Sequence, residues 1–186
     1  MNYKNTLFFR ILTVLLFCSA VLGHEKTWPE RRLRQTWSEA KSFKSKQISL
    51  TSSQIAELKK DGLQISSTER NQTFYLAQSK DTAGKNQKTL GIILFVDESG
   101  DNGPMEISVA MGSDGRIKTI DIWEHAESKL VTESSFLNQF VGKSVNELPL
   151  PSTEYKPVAT ASKASTAVAR AALKALKILS LIFQKK

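Results

Sequence analysis

Hydrophobic and polar positions change rhythm several times along the chain, and each change predicts an element. From residue 11 to 23 the run ILTVLLFCSAVLG carries no charge, yet it is shorter than the roughly 20 residues that a bilayer span requires. Lys4 and Arg10 precede it and small residues close it around Gly23, the layout of an export signal. Residues 1–23 are therefore expected to be a signal peptide, and 24–186 the mature domain, soluble in the envelope. A retained N-terminal anchor is the alternative. A lipid on Cys18 is disfavoured because Phe17 stands where that processing needs a small side chain.

The pattern then turns helical. Thr27-Trp28-Pro29-Glu30 sets a capping threonine, a first-turn proline and a glutamate three residues after the cap, which predicts a helix through about Trp37, peripheral to the core. Thr51-Ser52-Ser53-Gln54 announces a second, short helix with Ile55 and Leu58 on one face and Gly62 as its stop. The flanking stretches are polar, and residues 79–89 (SKDTAGKNQKT) read as a loop.

From Leu90 the period becomes that of strands. Leu90–Val96 is a continuous apolar run, as expected of a strand covered on both faces. Met105, Ile107, Val109 and Met111 alternate with Glu106, Ser108 and Ala110, a half-buried pattern. Ser113-Asp114-Gly115 supplies turn chemistry for a hairpin whose returning strand is Arg116–Trp123. At least three antiparallel strands follow from this. Ser134–Lys143 reads as a capped helical turn that buries Phe136 and Phe140 and stops at Gly142. A linker, Pro149–Pro157, leads into an alanine-rich helix from about Ser162 to Gln184. Lys163, Arg170, Lys174 and Lys177 form one stripe on it, expected to be solvated. Val168, Ala172, Leu176, Leu179 and Phe183 form the other, expected to pack on the sheet. The predicted class is α+β, an antiparallel sheet with helices packed on it and an amphipathic C-terminal helix. A peripheral membrane contact of that helix is the alternative to packing.

Composition excludes more than it selects. The 186 residues, with 40% hydrophobic side chains, suffice for one domain with a real core. A single cysteine removes disulfide frameworks, CxxC redox pairs, thiolate zinc sites and c-type haem attachment. Net charge is +8, or +6 once Lys4 and Arg10 leave with the signal, so an anionic partner has to be considered. A nucleic-acid partner is not expected, because no aromatics interleave the basic residues.

Few residues offer chemistry. His125 with Glu124 and Glu127, in the run WEHAESK, could bind a metal or move protons. With His24 as the other histidine and no HExxH spacing, a solvated strand end is the plainer account, and no metal site is assigned. Glu154-Tyr155-Lys156-Pro157-Val158-Ala159-Thr160-Ala161-Ser162-Lys163 runs small and hydroxyl residues into a helix start. Free N–H groups and the positive helix end favour an anion there, and Lys163 adds a charge. Alternatively Thr160 or Ser162 simply caps the helix.

The order of these pieces carries a resemblance. An SDG hairpin, a strand ending in His-x-Glu, the run SSFLNQFVGKS and an acid-x4-Ala-Thr-x-Ser segment opening an alanine-rich helix together resemble the FMN-binding domain family. That family includes flavin subunits of the sodium-pumping NADH:quinone and ferredoxin-linked respiratory complexes and many exported single-domain relatives. The similarity covers about residues 90–180. It implies FMN as cofactor, bound through a phosphoester to the threonine matching Thr160 and installed by a dedicated flavin transferase using FAD and magnesium. Ala159 matches the family alanine, Ser162 is a following hydroxyl residue, and Glu154 stands in the place of the family aspartate. Lys163, Glu127 and His125 complete the implied cofactor set. Pro157 replaces the usual serine or threonine, Val158 replaces the glycine, and the glycine after His-x-Glu-Ser is missing. The implied role is electron transfer between donor and acceptor proteins in the periplasm or cell envelope of a bacterium, by a flavoprotein rather than a substrate-converting enzyme. The other reading is a non-redox ligand-binding or interaction module that has lost its flavin.

Overall fold

The computed structural model describes residues 28–80, 87–148 and 155–183. The proposed signal peptide, Thr27, His24, Glu154 and most of the expected linker lie outside these residues; the first helix starts at Glu30 with Pro29 as its N-cap, so the expected threonine cap with the proline in the first turn is corrected. The element order is α1 (Glu30–Thr36), β1 (Ser42–Ser49), α2 (Ser52–Lys60), β2 (Asn71–Lys80), β3 (Gln87–Ser99), β4 (Pro104–Gly112), β5 (Ile117–Ile122), a 3-10 turn (Lys129–Thr132), α3 (Ser134–Leu137) and α4 (Ser162–Phe183). The five strands form one antiparallel meander, β1-β2-β3-β4-β5, so the α+β class holds with a sheet larger than three strands.

Register explains where the core sits. Phe74 pairs with Leu94, Leu94 with Val109 and Val109 with Ile120, and this row is buried on the face covered by α4. Side chains alternate across the pleat, so Tyr75, Ile93 and Ala110 form the matching row on the opposite face, beside Leu33 and Trp37. β3 is thus covered on both sides, as its continuous apolar run requires. At Gly91 the Trp37 ring lies so close to the sheet that a Cβ would meet its Cζ3 at 2.6 Å and collide with the Met111 carbonyl.

Local signals hold at α2, where Thr51 and Gln54 form a complete capping box, and in the β4–β5 turn, where Gly115 takes φ +78°, a conformation costly for other residues. Phe136 and Phe140 are buried and stack edge to face at 5.6 Å, as expected.

Four further expectations are corrected. First, α1 is not peripheral: Leu33 and Trp37 are core residues of the second face, because β3 brings Ile93 and Phe95 to that side and they need cover. Second, for the same reason Glu106, Ser108 and Ala110 are buried, so β4 is not half exposed. Third, residues 79–80 and 87–89 extend β2 and β3 rather than a loop; residues 81–86 lie outside the described residues. Fourth, the cationic stripe of α4 is not solvated throughout, since Lys174 is 4% exposed. The apolar stripe is buried at Val168, Ala172, Leu176 and Leu179, whereas Phe183 is 48% exposed and meets Phe74 edge to face at 5.7 Å. Among the described residues no helix is long and apolar enough to cross a membrane.

Candidate functional site

Two neighbouring features lie along the start and the cationic face of α4. The first is the turn that feeds the helix. Val158 is half-buried against the main core, its N–H donates to Ser165 Oγ at 2.9 Å, and that hydroxyl donates to the Ala161 carbonyl at 2.8 Å. Upstream, Gln139 clamps the backbone of Lys156 from both sides, accepting its N–H at 2.7 Å and donating to its carbonyl at 3.1 Å. Tyr155 hydrogen-bonds Thr166 at 3.0 Å and rests against Phe136 and Phe140. The turn is therefore pinned at three residues. No non-glycine residue described has a positive φ, so Val158 sits unstrained in a backbone of its own kind.

Thr160 and Ala159 are exposed on this pinned turn, and Ser162 and Lys163 are exposed in the first helical turn. The Thr160 hydroxyl makes no hydrogen bond to another described residue. Neither Thr160 nor Ser162 caps the helix. The cap comes from the β3–β4 turn, where Asp101 accepts the Ala164 N–H at 2.8 Å. Carboxylate capping of a helix start contributes about 0.5–2 kcal/mol. The N–H groups of Ser162 and Lys163 have no partner among the described residues.

The same β3–β4 turn corrects the expectation of a solvated strand end at His125–Glu127. Glu127 is 7% exposed. Its carboxylate accepts the Asn102 backbone N–H at 2.7 Å and the Asn102 side-chain amide at 3.3 Å, while its own N–H donates to His125 Nδ1 at 3.1 Å. Glu127 thus holds Asn102, and the adjacent Asp101 holds α4. The structure links the His-x-Glu segment to the helix start through this turn, although it does not place His125 or Glu127 beside Thr160. The sequence alone does not single out Asp101. Its only signal is an Asp-Asn-Gly turn, and nothing local says which distant helix such a turn meets. Among the described residues there is no cluster of three or more side chains able to hold a metal ion.

The second feature is an open cleft of about 550 Å³ between the cationic face of α4, the segment after α2 and the end of β3. Its floor is an ion network: Lys174 Nζ lies 2.7 Å from both Glu69 and Glu98, and Arg170 Nη1 lies 3.1 Å from Glu98. Burial works to raise the pKa of Glu69, but the Lys174 ammonium and the Ser66 N–H outweigh it and hold the carboxyl below its ordinary value. Lys163 stands at the cleft wall.

Comparison of the sequence with protein-family models and with curated proteins finds no match. The flavin resemblance therefore rests on the order and spacing of the residues quoted above.

Proposed function

We propose that the chain is an exported flavoprotein that carries FMN through its phosphate on Thr160 and passes electrons between envelope partners. The observation that carries this reading is the presentation of Thr160: an exposed hydroxyl on a pinned turn, one residue before Ala161, whose carbonyl accepts the Ser165 N–H of α4 at 2.9 Å. A transferase can reach such a hydroxyl. The phosphate would have the Ser162 and Lys163 N–H groups and the Lys163 ammonium as ligands. The third N–H, that of Ala164, is held by Asp101, so the anion would be served by two first-turn donors rather than three. When bound, the flavin supplies the redox chemistry, and the protein supplies position and electrostatics. Thr160 provides the attachment oxygen, Lys163 offsets the phosphate charge, and the Gln139, Tyr155 and Val158 contacts hold the turn in place.

A second reading has a specific observation behind it. The Asp101 carboxylate already satisfies part of the helix start, and its negative charge opposes a phosphate there. This favours a non-redox interaction module descended from flavin carriers. Co-expression with a flavin transferase in an exporting host separates the two. Intact mass and peptide mapping are expected to show FMN on Thr160 in the wild type and none in Thr160→Ala. An unmodified Thr160 under those conditions overturns the flavin reading, and modification gained only with Val158→Gly or Asp101→Asn supports the module.

A further inference from the structure

The flavin argument uses the α4 cleft only at Lys163. We infer that this cleft is a binding site for a small polar molecule bearing one oxyanion group, a carboxylate or a phosphate monoester, gripped by Arg170 and Lys163.

These two cations stand seven positions apart, close to two helical turns, so both lie on one face of α4. Their partners distinguish them from Lys174. That ammonium is committed on both sides, to Glu69 and Glu98 at 2.7 Å each, and forms the floor. Arg170 commits one nitrogen to Glu98, while its side chain stays 38% exposed in the cleft. A guanidinium carries five donors in a fixed fork. Anchored at one edge by a buried carboxylate, it is held ready to meet an oxyanion with donors still free. Lys163 is exposed and has no partner among the described residues.

The floor itself points to a site. Placing Lys174 and Glu98 out of water carries a desolvation cost, and apolar side chains of similar volume usually fill such a space at least as stably. What the ion network does provide is a rigid position for Arg170, which a bound ligand can exploit. The cleft volume falls within the roughly 300–1,000 Å³ typical of small-molecule sites, and Gln64, Ser66 and Ser99 line it with groups able to bond a polar body. Glu69 and Glu98 also line it, and their pairing with Lys174 and Arg170 cancels most of the local positive charge, which disfavours polyanions and suits a small ligand with a single oxyanion.

The test uses the unflavinylated chain, titrated calorimetrically with glycerol 3-phosphate, inorganic phosphate and lactate at low salt. Saturable binding of at least one probe is expected, and the pattern across the three tells phosphate from carboxylate chemistry. Arg170→Gln is expected to weaken it about tenfold, the scale of one charge-assisted hydrogen bond, with Arg170→Lys intermediate and Lys163→Gln weakened several-fold. Lys163 is exposed, so Lys163→Gln carries the test if Arg170→Gln does not fold. Thr160→Ala is expected to leave binding unchanged, which separates this site from the flavin attachment point. No saturation by about 10 mM for any probe overturns the inference. So does equal affinity in the Lys163→Gln and wild-type proteins, or loss of binding in Thr160→Ala. An unmodified Thr160 in the mass experiment leaves it standing.

Discussion

The two faces of the sheet are covered in different ways. On one side α4 lays 22 residues across β3 and β4 and buries a continuous cluster that includes Phe74, Leu94, Val109, Ile120 and Leu176. On the other, the seven-residue α1 and the segment after it cover Ile93, Phe95 and Ala110 with Leu33, Trp37 and Ala40, beside Phe43 of β1. Polar contacts also tie this smaller lid to the sheet. Arg32 binds Glu106 and reaches Glu124 at 2.6 Å, and Lys118 pairs with Glu39 and lies 4.2 Å from the Trp37 ring. A long helix can bury one whole stripe and still carry charges at its margins. A short one covers little area, so tethers make up the rest. The functional features follow this division, because the cleft and the Thr160 turn both belong to the α4 side.

The largest expected effect tests the charged margin of the α4 face. Lys174→Met leaves Glu69 without its cation and Glu98 with Arg170 alone, and is expected to destabilise by about 3–5 kcal/mol in urea unfolding. A loss below about 1 kcal/mol would show that water reaches the floor of the cleft and that the network is not buried in solution.

Next come the two helices themselves. Leu176→Ala, at a site 1% exposed, is expected to cost about 3 kcal/mol or more, because the sheet beneath it cannot collapse into the void. Leu33→Ala removes the same atoms from an equally buried site, yet is expected to cost only about 2 kcal/mol, since a seven-residue helix at the rim can shift inward. Equal losses would make the two faces equivalent and remove the distinction.

Gly91→Ala probes the close approach on the α1 face. A methyl group there meets both the Trp37 ring and the Met111 carbonyl, and displacing them is expected to cost about 1–3 kcal/mol. Trp37 should move toward water, giving a red shift in tryptophan emission. An unshifted spectrum with full stability would place the ring elsewhere.

The smallest effects are titrations of opposite sign. On the α4 side the Glu69 carboxyl is held below the ordinary 4.5, so its contribution is fully present above that value and is lost as pH falls through the lowered folded pKa. Glu69→Gln is therefore expected to be less stable than wild type at pH 7, with the gap closing in acid. On the α1 side burial raises the Asp121 carboxyl above the ordinary 3.8, against hydrogen bonds from Thr119 and Thr36. Asp121 thus costs stability above its folded pKa, and that cost vanishes as pH falls to the unfolded value. Asp121→Asn is expected to raise Tm at pH 7 and to lose the gain near pH 3.8. Parallel pH profiles for the two variants would contradict these environments.

Local order was legible wherever short-range physics decides it. The Thr51–Gln54 capping box, the Ser113-Asp114-Gly115 turn, the turn that buries Phe136 and Phe140, and the run Leu90–Val96 state their structure in adjacent residues. The strands β1 and β2 do not. In Ser42–Ser49 only Phe43 is buried: this edge strand draws its order from hydrogen bonds to partners 22 to 36 residues away, and such pairing leaves no periodicity to read. The candidate site divides along the same line. The sequence itself places Thr160 and Lys163 at a helix start and spaces Lys163, Arg170, Lys174 and Lys177 along one face. Which of those cations is buried, which carboxylates meet them, and that Asp101 occupies the helix start were decided by tertiary structure. Glu69 and Glu98 reach Lys174 across 105 and 76 residues of chain, and only folding of the sheet against α4 brings charges so far apart in sequence within 3 Å.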